Sequence, residues 1–351
     1  MIATRILRRS RVLIVGCGDV GMRCVEQLRA RARPPRIIAL TRQLTRRAEL
    51  AAAGVVPLVG DLDRPATLAR LGGLVQHVLL LAPPQPSGTD DRRTRSLIAA
   101  LGARNRAQSS PARSCAAPVG WMRRALSSGA WQGGQAVRGA VRSSAERLGA
   151  PLCLVYASTT GVYGDCGGAR VDETRPVRQA NARAVRRMSA ERQLRAATAR
   201  GAMSARIVRI PGIYAANRLP IMRLERGTPA LVDADDLYTN HIHADDLAAI
   251  LLAASARGRA GRVVHASDDT EMKMGEYFER VARASGRASP PRITRAEAEM
   301  RLEPVLLSFM RESRRLVNIR LKRELRFVLR YPTVEDFLRT VSTDSELGLR
   351  R

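Results

Sequence analysis

The sequence predicts an α/β fold, a doubly wound parallel sheet with helices on both faces. Three observations predict it. The first is Arg11–Arg23, RVLIVGCGDVGMR. There the apolar run Val12–Val15 leads straight into Gly16-Cys17-Gly18-Asp19-Val20-Gly21, then into a helical pattern with Val25 and Leu28 on one face. The second is the recurrence of short apolar runs separated by helical segments, the rhythm of parallel strands joined by crossover helices. The third is Ser158-Thr159-Thr160, set directly behind such a run. Hydroxyls at the carboxyl end of a parallel strand open into the ligand crevice.

Taken in order, the first strand and its glycines read as a Rossmann-type dinucleotide turn. Gly16 permits the tight turn, Gly18 lets the backbone approach a pyrophosphate, and Gly21 lets the helix pack closely on the strand. The helix start at Asp19 and Val20 offers free N–H groups and a positive dipole end to phosphates. The competing reading is an α/β turn whose glycines serve packing only. Arg36–Leu40 is the second strand. An acid usually closes it where the ribose 2′-hydroxyl is bound, but Thr41-Arg42 stands there. A guanidinium pairs with a 2′-phosphate, so the expected cofactor is NADP, with NAD the alternative. The competing reading of Arg42 is a solvent-facing arginine.

Arg46–Ala53 reads as a helix and Val55–Val59 as the third strand, followed by Gly60-Asp61-Leu62. Asp61 is placed either to accept from an adenine amino group or to cap the helix starting near Pro65. Val75–Leu81 is the fourth strand. It ends in Ala82-Pro83-Pro84, an extended exit beside the crevice. His77 within it reads as a packed histidine rather than a ligand. Asp90–Leu101 is a helix. Gly102–Arg147, rich in Arg, Ser, Ala, Gly and Pro without apolar period, reads as a partly disordered insertion. Pro151–Ala157 is the next strand, and Asn181–Arg200, containing Glu191, is a helix.

Composition narrows the function. The chain has 351 residues, room for one large domain or two intimately joined ones. No apolar run reaches membrane-span length, so a cytoplasmic protein without membrane partners is expected. Five scattered cysteines without a C-x-x-C pair indicate neither a zinc site nor a disulfide framework. The net charge of +28 raises nucleic-acid binding, yet the charge is almost all arginine, spread along the chain, and aromatics make up 3%. Nucleic-acid binders concentrate charge and add aromatics for stacking, so a small-molecule substrate is expected instead. A homodimer is compatible with the chain.

Several motifs then occur in a telling order. They are VLIVGCGDVG, YASTTGVYGD with VDET, RIPGIY at Arg209–Tyr214, NHIHADDLA at Asn240–Ala248, and SRRLVNIRLKREL at Ser313–Leu325 with Tyr331-Pro332. Together they resemble the extended and atypical short-chain dehydrogenase/reductase superfamily, in its NAD-dependent epimerase/dehydratase group. The likeness is to atypical members, with GxGxxG rather than GxxGxxG. It implies a Rossmann domain over 10–268 and a small substrate-binding lobe from 211–240 and 269–340. Gly16, Gly18, Asp19, Val20, Gly21, Thr41, Arg42, Asp61, Leu62, Ala82 and Pro83 would hold the cofactor. Thr159, with Ser158 beside it, would polarise the substrate oxygen. Asp245 and Asp246 would stabilise structure.

One departure is firm. The resemblance puts the catalytic Tyr-x-x-x-Lys on the helix before Glu191, where Arg183 and Arg187 stand. The lysines are Lys273 and Lys322, neither with a tyrosine four residues earlier. Arg187 could supply charge and ribose contacts, but guanidinium stays protonated, so Arg183 cannot replace a phenol. Tyr163 is the phenol nominated instead, against the reading that it is a packed aromatic. His241 and His243, lacking a third ligand, read as two rings on one strand face rather than a metal pair. Two functions follow: an oxidoreductase or epimerase working by hydride transfer on a small alcohol, carbonyl or nucleotide-sugar-like substrate, or a non-catalytic NADP-binding sensor or partner-binding protein.

Overall fold

A computed structural model describes residues 10–109, 152–179, 181–303, 306–307 and 310–343. Its centre is a seven-stranded sheet, whose strands we number in chain order. They are β1 (Arg11–Val15), β2 (Arg36–Thr41), β3 (Val56–Val59), β4 (His77–Leu80), β5 (Cys153–Thr159), β6 (Ser204–Ile210) and β7 (Val263–His265). The spatial order is β7-β6-β5-β4-β1-β2-β3, and every pairing is parallel. The order reverses between β1 and β4. In doubly wound sheets that switch point, at the carboxyl ends of the strands, is where ligands bind.

Burial explains the apolar runs. Successive residues of β1 face opposite sides, so Ile14 joins one core and Leu13 with Val15 the other. The first core takes Val25 and Leu28 from α1 (Asp19–Arg29) and Leu247 and Leu251 from a helix at Ala244–Arg257. The second takes Leu68 from the 3₁₀ segment Pro65–Leu71, Leu97 and Leu101 from the helix Arg92–Ser109, and Leu194 from the helix Ala182–Ala199. In chain order the first seven described helices are α1, α2 (Arg46–Ala52), α3 (Arg92–Ser109), α4 (Ala182–Ala199), α5 (Ile221–Glu225), α6 (Ala244–Arg257) and α7 (Met274–Ala284). β3 is the edge, with Pro57 inside it and Val56 and Val59 exposed. An edge is where a strand proline is tolerated.

A smaller apolar cluster gathers Tyr214, Leu224 of α5, Met272, Tyr277 and Phe278 of α7, Val334 and Phe337. This is the lobe. Within the expected lobe stretch 269–340, however, Leu321, Leu325 and Leu329 pack into the sheet's core beside α6. The chain thus crosses back to the large domain before the final lobe helix, Val334–Thr343. α3 also runs on to Ser109, so the expected insertion begins as helix. Its remainder, 110–147, lies outside the described residues. His241 and His243 are buried, both set edge-on to Tyr214. Among the described residues no cluster of ligating side chains could hold a metal, and no helix is long and apolar enough to cross a membrane.

Candidate functional site

The switch point is built by backbone. Gly16 has φ +92°, and a Cβ there would lie 2.5 Å from the nitrogen of Ala82. That neighbour is fixed, because the N–H groups of Leu81 and Ala82 both donate to the Val15 carbonyl, at 2.8 and 2.9 Å. Gly21 is tight too, with a Cβ 3.2 Å from the Gly16 carbonyl oxygen. Gly18 differs: a Cβ there would meet nothing within 4 Å, and no side chain caps α1. The turn therefore presents an uncapped helix start to open space. Asp19 is engaged by neighbouring side chains. Its carboxylate accepts from Arg218 at 2.6 Å and Arg23 at 3.3 Å, which tie α1 to the loop after the strand 212–214. These partners outweigh burial and lower its pKa.

At the end of β2, Arg42 is exposed and makes no hydrogen bond or ion pair among the described residues. Thr41 closes a local turn with Gln43. Arg46 donates to the Cys17 carbonyl at 2.6 Å, which brings a guanidinium to the glycine turn. Asp61 does not cap the following helix. Its carboxylate accepts from the Asp63 N–H at 3.0 Å, and the N-cap position belongs to Arg64. Leu62 is buried against the second core. Pro83 receives a hydrogen bond from Arg93, itself paired with Asp63, so the exits of β3 and β4 are laced together.

Beside this crevice lies a cleft of about 580 Å³, lined by Thr159, Asn181, Arg183, Pro211, Tyr238, Asn240 and Arg314 among others. Thr159 sits at the tip of β5 and accepts from the Gly161 N–H at 3.2 Å. Its hydroxyl proton stays available to a ligand. Ser158 is a correction. Alternation along β5 turns it inward, where it is 3% exposed and donates to Glu191 at 2.7 Å. Tyr163 is a second correction: it is fully buried, as the packed-aromatic reading had it.

Both belong to a buried polar spine. Arg209 of β6 clasps Glu191 through Nε and Nη2, at 3.1 and 2.7 Å, and Nη1 donates to the Tyr163 hydroxyl at 2.7 Å. The Tyr163 oxygen lies 2.5 Å from His265 Nε2, and His265 Nδ1 lies 3.0 Å from the Val317 carbonyl. A carbonyl only accepts, so Nδ1 carries the proton and Nε2 accepts from Tyr163. Burial keeps this imidazole neutral, pulling its pKa down to about 3, and pushes the Tyr163 phenol up to about 12. Neither shuttles protons near neutral pH. Arg187 lies against β5, donating to the Ala157 carbonyl at 2.6 Å and the Tyr156 hydroxyl at 3.1 Å. Its Nε is buried with no partner among the described residues.

Comparison with known proteins fits this geometry. The profile of the NAD dependent epimerase/dehydratase family matches residues 139–266, which carry Thr159, α4 and β6. Over that segment the chain is similar to the family. A TrkA-N domain profile matches residues 12–110, the half that carries the glycine turn. No curated protein matches by sequence. Among solved structures, a functionally unknown conserved protein from Silicibacter pomeroyi is 26% identical, covering 96% of this chain and 99% of its own, with a TM-score of 0.69. A dTDP-glucose 4,6-dehydratase from Streptomyces venezuelae, with NAD bound, is 20% identical over 94% and 95%, TM-score 0.66. A UDP-N-acetylglucosamine 4-epimerase from Bacillus cereus is 14% identical over 95% and 98%, TM-score 0.59. These last two show likeness of fold.

A dinucleotide fits the residues present. Gly16 makes the turn, the space at Gly18 is open, α1 is uncapped, and the Arg187 Nε–H awaits an acceptor. Sequence reasoning missed Arg209, Tyr238, Asn240 and Arg314. One signal was available: an arginine between Val208 and Ile210 in an apolar strand is a buried charge that requires a partner.

Proposed function

We propose that this chain is an NADP-dependent oxidoreductase or epimerase that moves hydride to and from a nucleotide-sugar-like alcohol or carbonyl. The observation that carries the reading is the open, uncapped glycine turn set beside a cleft with Thr159 on its wall. Gly16, Gly18, Val20 and Gly21 would hold the pyrophosphate, Ala82 and Pro83 would flank it, Asp61 and Leu62 would border the adenine, and Arg187 would contact the nicotinamide ribose. The bound nicotinamide supplies hydride chemistry. Thr159 would donate to the reacting oxygen. Arg183, Arg186 and Arg314 against the single carboxylate of Glu312 make the cleft basic, which suits a diphosphate-bearing substrate.

Calorimetric titration with the reduced and oxidised forms of NADP and NAD tests the cofactor. The phosphorylated forms should bind more tightly. Arg42→Ala should remove that preference, about ten- to a hundredfold, the worth of one charge-assisted contact. Equal affinity for NADPH and NADH in the unaltered protein would return the cofactor to NAD.

Thr159→Ala should leave NADPH affinity unchanged and lower turnover by about 10²–10³, as loss of an oxyanion donor does. A second reading, a non-catalytic NADP-binding sensor, draws on Arg183 and Arg187 standing where α4 would carry a phenol and an amine. It predicts NADPH binding with no turnover of UDP- or dTDP-sugars.

A further inference from the structure

Arginines on α4 leave the cleft without a proton carrier on that side. The opposite wall has one. Residues 238–239 pair antiparallel with 272–273, Tyr238 directly across from Lys273. The Met274 N–H donates to the Leu237 carbonyl at 2.9 Å, so Leu237 and Met274 form a hydrogen-bonded pair. Tyr238 and Lys273 are then the adjacent non-hydrogen-bonded pair, in which Cα atoms come to about 4.5 Å and side chains lie closest. A phenol and an amine are thus neighbours across strands, as they are not anywhere along the chain at a spacing of four. Lys273 Nζ is anchored by Asp233, donating to its carbonyl at 2.7 Å and pairing with its carboxylate at 3.1 Å.

The other phenols are accounted for. Tyr156, Tyr163 and Tyr214 are fully buried, Tyr277 is 8% exposed, and Tyr331 packs between His243 and Phe337. Of the six tyrosines, Tyr238 alone lines the cleft that holds Thr159. Its ring is clamped. The Arg315 guanidinium lies 4.8 Å from its centroid, and a Cβ on Gly168 would stand 3.2 Å from its Cδ2. Its hydroxyl makes no hydrogen bond among the described residues. A fixed ring with an unclaimed polar end is how a side chain that works on a ligand is held.

We propose that Tyr238, presented by the lobe across from Thr159, is the acid/base of the cleft, with Lys273 as its neighbouring cation. The inference rests on the hydride-transfer reading above. In oxidation the carbinol carbon would give up hydride, the hydrogen with its two electrons, and a bound oxidised nicotinamide would supply the acceptor. The O–H bond breaks as C=O forms, and the proton passes to the Tyr238 phenolate. Reduction returns the proton from the phenol to the oxygen.

The test does not need the substrate. Limited nitration of the full chain with tetranitromethane, followed by peptide mapping, should modify Tyr238, and Tyr238→Phe should lose that product. At a pH where the nitrophenol is mostly protonated, oxidised NADP should raise the nitrophenolate absorbance severalfold, because the nicotinamide's positive charge stabilises the anion nearby. NADPH, which lacks that charge, should not. Calorimetry on the same nitrated protein separates the two readings. Binding of both forms with no difference in absorbance overturns the role of Tyr238 alone, as does failure of Tyr238 to nitrate. Absence of any dinucleotide binding, in nitrated and unmodified protein alike, overturns the cofactor reading and this inference with it.

Discussion

Gly16→Ala is expected to cost about 2–6 kcal/mol of stability and to abolish tight dinucleotide binding. Two terms add. A non-glycine residue at φ +92° is strained, by about 1–3 kcal/mol. The new methyl also meets Ala82 backbone at 2.5 and 2.8 Å, an overpacking that costs about 1–3 kcal/mol. Ala82 cannot yield cheaply, because its N–H and that of Leu81 share the Val15 carbonyl. Relief therefore comes by moving the glycine turn itself, which misplaces the N–H groups at the start of α1. Gly18→Ala is the informative contrast. Gly18 has φ −84° and open space where the methyl would go, so denaturant unfolding should shift by no more than about 0.5 kcal/mol. NADPH affinity should nonetheless fall tenfold or more, because the methyl occupies the ligand's side of the turn. Unfolding midpoints and calorimetric affinities for the pair decide the matter. A Gly18→Ala protein that binds NADPH as well as the parent would mean that no pyrophosphate lies there.

Removing either half of the Glu191–Arg209 pair should destabilise the fold by about 3–5 kcal/mol, the usual penalty for stranding a buried charge. The side chains are 5% and 3% exposed. Glu191→Ala leaves Arg209 with Tyr163 alone and deprives Ser158 of its acceptor. Arg209→Ala leaves a carboxylate that must be protonated to stay buried. Glu191→Gln should be milder, since an amide oxygen still accepts from Ser158 and from one guanidinium nitrogen. The double change Glu191→Leu with Arg209→Met should recover much of the loss, because an apolar pair in place of a buried ion pair is often close to neutral. Urea unfolding of the four variants measures these losses. If each single variant loses less than about 1 kcal/mol, the spine is not what fixes β5 against α4 and β6. Its effect on the site is indirect: Ser158 is bonded to its neighbour in sequence, Thr159, so a loosened spine should raise KM and lower kcat together without touching NADPH affinity.

The sheet and the glycine turn were legible because both are local. A strand buried on two faces reads as an unbroken apolar run, and a tight turn against a neighbouring backbone demands glycine at one position. The strands fall within a few residues of where the runs place them, and β5 simply extends to include Thr159. The expected single-face packing of His241 and His243 follows from the same period-two rule. The two nominations that moved, Ser158 and Tyr163, show where locality stops. Ser158 and Thr159 are adjacent hydroxyls, and pleating alone decides which of them faces the cleft. Tyr163 sits one turn beyond, yet a partner 46 residues away, Arg209, and another 102 residues away, His265, draw its hydroxyl inward.

By itself, then, the sequence determined the class of fold, the place of the glycine turn and the absence of Tyr-x-x-x-Lys on α4, since each is written in contiguous residues. Only the tertiary structure decided which polar groups face the cleft. It closed Arg209 onto Glu191, turned Asp19 to Arg218, and set Tyr238 across from Lys273. These contacts join segments far apart in the chain, and their energies depend on burial and angle, which no spacing of letters encodes.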